Sequence, residues 1–328
     1  MRSSLLIVSA VMFFSALPVY SDESRVNDGT TQEKFRELIS FDDKLSIRVF
    51  SNPSTFMSFS AGDGDSKIVY KSNPKGAYGL GLSYEGYGLS TTLLKNSKCN
   101  ENERKYGKSQ YYDITLSKYG KNIGGDFFFR KYKGMYIEKY PDCYDLEGRV
   151  RKNVRLTFIG FYLSYVFFEE FSFNEIMKQS ERRIGFSWSP SAGLYYDYFK
   201  ISSGGGLIPA VRQAEFPDFY RLNSTYYNGG GIMGGWGAKY CFPFKVYISA
   251  ALFAGIGFGN LKMNGESSAS SGARNMKLVM KVSLGFNGDT FGCGLILTSE
   301  RSSYYSDNSE AYLSPFANYG EFFLLFRI

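Results

Sequence analysis

Between Lys75 and Leu94 the chain reads KGAYGLGLSYEGYGLSTTLL, and every second residue changes character. Tyr78, Leu80, Leu82 and Tyr84 are large, while Gly79, Gly81 and Ser83 between them are small. After Glu85-Gly86 the alternation resumes, with Tyr87, Leu89, Thr91 and Leu93 set against Gly88, Ser90 and Thr92. A period of two places these sets on opposite faces of a strand. A bulky Tyr/Leu face backed by a small, polar face is unusual for a soluble sheet. It is what a wall needs with lipid outside and a packed or wet interior.

The same period recurs along the chain. Leu45, Ile47 and Val49 alternate with Ser46 and Arg48, and Pro53 predicts a break before the next strand, Thr55–Ser60. Ser109–Ser117 sets Tyr112, Ile114 and Leu116 against Tyr111, Asp113 and Thr115; Gly125–Tyr132 sets Phe127 and Phe129 against Asp126, Phe128 and Arg130. Val154–Phe168 and Phe171–Lys178 read as a strand pair around Glu169-Glu170. Gly185–Tyr198 reads as a strand bulged at Pro190, and Ile201–Tyr227 as a long connection. Gly229–Tyr240, Val246–Phe258, Met276–Gly285, Phe291–Thr298 and Asn318–Ile328 complete the set. Leu261–Arg274 and Glu300–Pro315 read as loops, as do Lys95–Lys108 and Gly134–Lys152.

Short turns at Glu85, Tyr119–Gly124, Glu169, Phe242–Phe244 and Asn287–Asp289 mostly alternate with long loops. That asymmetry predicts an all-β, antiparallel transmembrane β-barrel with short periplasmic turns and long outer loops. Between Glu169 and Phe242 the alternation is off by one, and the misfit is placed in Gly185–Tyr227. With both ends on one side the strand number is even. The expectation is about 12 strands, within roughly 10 to 14.

Composition agrees. Of 328 residues, 18% are aromatic, with 27 Tyr, 30 Phe and 36 Gly but 9 Pro, and mean hydropathy is slightly negative. Beyond the N-terminus no apolar run approaches the ~20 residues of a spanning helix. Residues 1–21 read as a secretory signal (Arg2, the apolar run Leu5–Leu17, small residues before Asp22), 22–42 as a polar periplasmic leader with a short helix at Thr30–Ser40, and 43–328 as the barrel. The final strand alternates Phe322, Leu324, Phe326 and Ile328 with Glu321, Phe323, Leu325 and Arg327. It resembles the C-terminal signal through which outer-membrane barrels meet their assembly machinery, except that it ends in Ile.

Taken in order, DKLSIRVFS, YKSNPKGAYGLGLSYEGYGLS, GGDFFFRKYKGMYI, YVFFEEFSF and KQSERRIGFSWSPSAGLYY resemble a family catalogued as domain of unknown function 4421 (DUF4421), from Phe41 to the C-terminus. The resemblance implies an outer-membrane, barrel-like body behind a signal peptide. It carries no assigned chemistry and no functional residue.

The chain has no histidine. Ser-His-Asp and Cys-His nucleophile systems and histidine-ligated metals are thereby excluded. Adjacent residues Glu169 and Glu170 point apart in a strand or turn, so they make no acid–base pair. The glycine runs at Gly229–Gly235 and Ser203–Leu207 lack the Lys-Ser/Thr and the helix of a phosphate loop. The formal charge of +7 is spread over Arg104-Lys105, Lys131–Lys133, Arg149–Arg155 and Arg182-Arg183. These read as solvated loop ends rather than a nucleic-acid surface; attraction to anionic lipid headgroups is the secondary reading. Cys99 and Cys143 lie in two loops that could share one side and a disulfide, while Cys241 and Cys293 read as buried small hydrophobes.

Alternation points nine charges inward: Arg48, Asp113, Asp126, Arg130, Arg155, Lys277, Lys281, Glu321 and Arg327. Buried charges of both signs must pair. They suit a lumen plugged by ion pairs, and equally the lining of a narrow pore. The expectation is an outer-membrane protein among membrane lipids, non-enzymatic and without cofactor, structural or surface-exposed, with a plugged or narrow lumen. The rivals are a channel or transporter for small solutes or lipids, and a soluble periplasmic lipid-binding barrel.

Overall fold

The computed structural model describes residues 38–63, 66–73, 76–94, 105–138, 149–216, 222–264, 268–307 and 312–328. The expected signal peptide, most of the leader with its helix, and the Cys99–Cys143 disulfide lie outside them. The strands are β1 (Ile39–Ser40), β2 (Ser46–Asp63), β3 (Ser66–Lys71), β4 (Ala77–Tyr84), β5 (Tyr87–Leu94), β6 (Gln110–Tyr119), β7 (Ile123–Ile137), β8 (Val150–Val166), β9 (Glu181–Arg182), β10 (Gly185–Ser202), β11 (Ser224–Cys241), β12 (Val246–Asn264), β13 (Ser268–Asn287), β14 (Phe291–Ser306) and β15 (Tyr312–Arg327). Thirteen form one antiparallel sheet, closed where β15 pairs with β2. β1 and β9 pair separately.

The wall changes its strand number with height. Near the turns β2 pairs with β4, and β4, β5 and β6 lead on to β7, so the ring without β3 has twelve strands. Above them β2 pairs with β3 instead, and β3 reaches β7 through Tyr70↔Ile137 and Lys71↔Tyr136. There the ring bypasses β4, β5 and β6 and has ten strands. β4 and β5 have 8 residues and β6 has 10, about the length that spans a bilayer, whereas β10 to β15 have 16 to 20. The expected loops Leu261–Arg274 and Glu300–Pro315 are therefore largely strand, because β12 to β15 run on past the apolar band. The first and last wall strands begin and end at the turn side, where the Leu45 and Ile328 amides each donate to the other's carbonyl at 3.0 Å. An even-numbered ring follows.

The bulky face of the opening hairpin points outward: Tyr78, Leu80, Leu82, Tyr84, Tyr87 and Leu89 are 41–62% exposed. Glu85 (φ 49°) and Gly86 (φ 75°) make its two-residue turn with the left-handed geometry such hairpins need.

Three local expectations change. Phe171–Lys178 is no strand. Ser172 caps a short helix α1 (Phe173–Met177), its Oγ accepting from the Asn174 amide at 3.1 Å, and Phe173 and Ile176 are buried. This false strand, rather than anything in Gly185–Tyr227, caused the miscount. Pro190 makes no bulge, since β10 keeps register with β11 throughout. On its other side β8 ends at Val166 opposite Ser191, so proline removes no ladder donor there. Pro53 does not break β2 but bulges it. From Ser54 to Ser51 β2 takes three steps while β15 takes two, Gly320 to Phe322.

Residues 39–42, at the end of the stretch expected as a leader, already belong to the barrel body: β1 pairs with β9, and Phe41 is buried beneath Arg327 and Arg182.

Inner glycines make room for rings. A Cβ on Gly79 would lie 2.0 Å from the buried Phe50 ring. Gly79→Val should therefore cost about 1–3 kcal/mol through overpacking, read from urea unfolding in vesicles by fluorescence of the two tryptophans. Leu80→Val on the outward face should move the midpoint far less; equal effects would contradict this packing.

Candidate functional site: a filled lumen

The lumen holds three layers. At the loop end, the connection after β10 folds back into the mouth. Leu207, Ile208, Phe216 and Leu222 are buried there with Phe158, Phe199 and Tyr304. The Tyr70 hydroxyl donates to the Leu207 carbonyl and Arg151 to that of Gly206. Tyr227 and Tyr304 stack at 4.0 Å in the same layer.

The middle layer is ionic. Glu300 on β14 accepts from Arg130 Nη1 on β7 at 2.6 Å, lies 3.2 Å from Lys277 Nζ on β13, and accepts from the Tyr162 hydroxyl on β8. Arg130 Nε also donates to Asp113 at 3.2 Å, and Lys277 to both oxygens of Asp197 on β10 at 2.7 and 2.8 Å. In the twelve-strand ring β7 and β14 are six strands apart in either direction. The Arg130–Glu300 pair thus joins opposite walls. Arg130 stacks over Phe128 at 4.2 Å and Lys277 over Tyr162 at 4.5 Å, which adds cation–π stabilisation away from water.

At the turn end α1 is the floor. Phe171, Phe173 and Ile176 pack with Tyr119, Tyr195, Met233 and Phe253. Glu175 is fully buried, 3.5 Å from Lys239 Nζ on β11 and 3.9 Å from Arg183 Nε. Burial pushes its carboxyl up, against the pull of Lys239 and Arg183. Arg327 donates to the Gln179 carbonyl and Asn287 Oδ1, both at 2.5 Å, and to the Gly288 carbonyl. Arg182 donates to Asn287 O at 2.8 Å and to Asp289 at 2.7 Å.

Between the ionic layer and the floor lies a cavity of about 240 Å³. Its lining includes the Arg48–Glu321 ion pair, Asp126, which accepts from Tyr119 at 2.7 Å, Lys178 and Lys281. Lys281 Nζ donates to Met177 Sδ at 3.2 Å, and Lys178 Nζ to the Gly86 carbonyl at 2.7 Å. Neither lysine has a carboxylate within 4 Å among the described residues.

Of the nine charges expected inside, Arg48, Asp113, Asp126, Arg130, Lys277, Lys281 and Glu321 line the lumen, and Arg327 is buried at its floor. Arg155 is not inside. It is exposed, and its neighbours Val154 and Leu156 fill the lumen. The faces exchange character at that height, because the mouth is packed with apolar side chains while the outside is polar. Six buried charges, Glu175, Glu181, Arg182, Asp197, Lys239 and Glu300, lie outside the expected set. Glu300 fell in a stretch read as loop and Glu175 in a stretch read as strand. Lys239 sits late in a glycine-rich strand. Asp197 had a usable signal, since it alternates with the outward Tyr196 and Tyr198. Among the cysteines, Cys241 is buried and Cys293 half-buried, both free thiols.

The profile of a family described as Domain of unknown function (DUF4421) matches residues 39–326. The chain belongs to this family. A search of curated proteins found no match. Among solved structures, this DUF4421 protein is similar to the outer membrane protease OmpT from Escherichia coli (7% identity, TM-score 0.40, covering 90% of this chain and 100% of that one). It is also similar to Ail, the attachment invasion locus protein of Yersinia pestis (9%, 0.21, covering 86% and 98%), and to OccK11 of Pseudomonas aeruginosa (7%, 0.16, covering 88% and 97%). Likenesses this distant transfer no function to the DUF4421 chain.

Two measurements probe the lumen. Lys277→Met leaves Asp197, Glu300 and Asp113 facing Arg130 alone and should cost about 3–5 kcal/mol in urea unfolding. Adding Asp197→Leu should restore most of it; a Lys277→Met barrel as stable as wild type would refute the role of the ionic layer. The second is pH. Burial lowers Lys178 to about 8, with Asp126 and Asp42 pulling upward and Lys118 downward. Unfolded, it holds its proton to about 10.4. Between those values the unfolded state binds more protons, so stability rises with pH. The contribution is complete above about 10.4 and lost as pH falls through about 8. Wild type should gain stability over this window more steeply than Lys178→Met; equal slopes would contradict the shift.

Proposed function

We propose that this protein is an integral β-barrel of the outer membrane, non-enzymatic, with a closed lumen and a structural or surface role. The observation that carries the reading is the filling of the lumen at three levels: an apolar mouth, wall-to-wall ion pairs and a helical floor. Open pores of larger barrels are wide and water-filled; a ring of ten to twelve strands can be filled by its own side chains. The band of outward Tyr, Leu, Phe and Ile supports a lipid environment, which a soluble lipid-binding barrel would not need. The turn end would then face the periplasm. The absence of histidine from the chain removes the commonest general base and supports the non-enzymatic reading.

In cell fractionation the chain should follow the outer membrane and migrate faster on gels unheated than boiled. In planar bilayers the purified barrel should be electrically silent. Discrete conductance steps would overturn the closed reading in favour of a channel, and a chain that stays soluble in the periplasm would overturn the location.

A further inference from the structure

The charges of the barrel strands are sorted by face. Asp113, Asp126, Asp197, Glu300 and Glu321, the barrel-strand acids whose side chains are described, all face the lumen. Among the described side chains of these strands the outward charges are all basic. Going from the turn end to the loop end, six of the long strands show apolar residues first and then a positive charge. On β7, Phe127 and Phe129 precede Lys131. On β8, Tyr165, Leu163, Phe161 and Ile159 precede Arg155. On β10, Leu194, Tyr196 and Tyr198 precede Lys200. On β12, Ile256 and Phe258 precede Lys262, on β13, Leu278 and Met276 precede Arg274, and on β14, Leu297 precedes Arg301.

Register places three of them, Lys131, Lys200 and Lys262, in one row. Lys131 pairs with Thr157, Thr157 with Lys200, Lys200 with Tyr226, and Tyr226 with Lys262. Strands lie about 4.8 Å apart, so successive lysines stand roughly 10 Å from one another along the wall. Arg274 pairs with Asp307 at 3.3 Å. The other five have no acid within 4 Å among the described residues. Below one of them the wall is hollow: Gly234 and Ala254 floor a groove between Ile256 and Leu278, with Arg301 and Tyr305 at its rim.

Like charges in a row repel and are normally interspersed with acids on a solvated surface. Among the described side chains the barrel-strand acids are all on the other face, so the strands themselves do not neutralise the row. The row begins where the apolar band ends, which is the level of lipid headgroups. The groove under Arg301 is apolar and open to that side, a shape for an acyl chain rather than for a free ion. Guanidinium and ammonium groups are phosphate binders, the first bidentate.

We propose that this loop-end basic collar binds the phosphate groups of anionic lipids in the outer leaflet, with an acyl chain of one such lipid lying in the groove beneath Arg301. The proposal rests on the outer-membrane reading above. Each Lys or Arg at a charged membrane surface adds about one factor of five in affinity, so the collar as a whole is a strong lipid selector.

The test is native mass spectrometry of the full chain released from detergent micelles, titrated with diphosphoryl lipid A, its dephosphorylated form and phosphatidylcholine. Wild type should retain the diphosphorylated lipid at least about tenfold more tightly than either of the others. A K131S/R155S/K200S/K262S/R301S variant should lose that preference, and K118S/K121S, altered at the turn end, should keep it. Heat-modifiable migration identifies folded protein. Should the fivefold variant not fold, R301S and K200S alone should each weaken retention several-fold. Equal retention by wild type and collar variants would overturn the proposal, as would displacement of the lipid by excess inorganic phosphate. A chain that fractionates with the outer membrane yet shows no preference overturns the collar alone; a chain that stays soluble overturns the location itself.

Discussion

One carboxylate ties the barrel across its width. Glu300 holds Arg130 from the opposite wall while lying beside Lys277 on its own, and those cations in turn hold Asp113 and Asp197. Charges this deep are stable only when each has a partner of opposite sign and its hydrogen bonds are satisfied. The requirement is therefore collective: β6, β7, β8, β10, β13 and β14 must all close in one register for it to be met. A slip of a single residue on any of them would turn its member of the layer to the lipid side. The ionic layer thus specifies the closure as much as it stabilises it, and the layers above and below shield it from water.

The fold was largely legible because a lipid-facing wall writes itself as strict alternation. Tyr78, Leu80 and Leu82, or Phe322, Leu324 and Phe326, have one environment on one side and another on the other, and the period of two exposes both. It failed where that contrast vanishes. Phe171, Phe173 and Ile176 alternate imperfectly and so predict a strand, yet they pack inside the lumen at and within a short helix. The strand extensions in β12 to β15 predict loops because serine, glycine and charged residues interrupt the alternation there, although Leu261, Met263, Tyr304 and Leu313 pack inward. Ser and Gly residues that signal flexibility in a soluble loop are here simply the part of the wall beyond the lipid.

Arg155 shows the same limit from the other direction. The rule that charge points inward holds only at the depth of the membrane. Higher up, Val154, Leu156 and Phe158 pack beneath the folded-back connection, and polarity reverses between the two faces within a single strand. Sequence records the alternation but not the height at which its meaning changes; that height is set by the tilt of the strands and by where the mouth is filled. For the same reason Glu300 and Asp197, the centre of the interior, could not be ranked above other charges without knowing which strands face one another. The family membership carries no assigned chemistry and leaves the interior to the residues themselves.

The change from twelve strands near the turns to ten near the loops has a mechanical consequence. At about 4.8 Å per strand the perimeter contracts by roughly 10 Å along the axis. The body is a funnel with its wide end at the turns. Force applied from the loop side drives the contents toward widening walls, whereas force from the turn side jams the helical floor against a narrowing throat. The two directions are thus unequal by construction. The short hairpin of β4 and β5, with its row of small inner residues, is the gusset that makes them so.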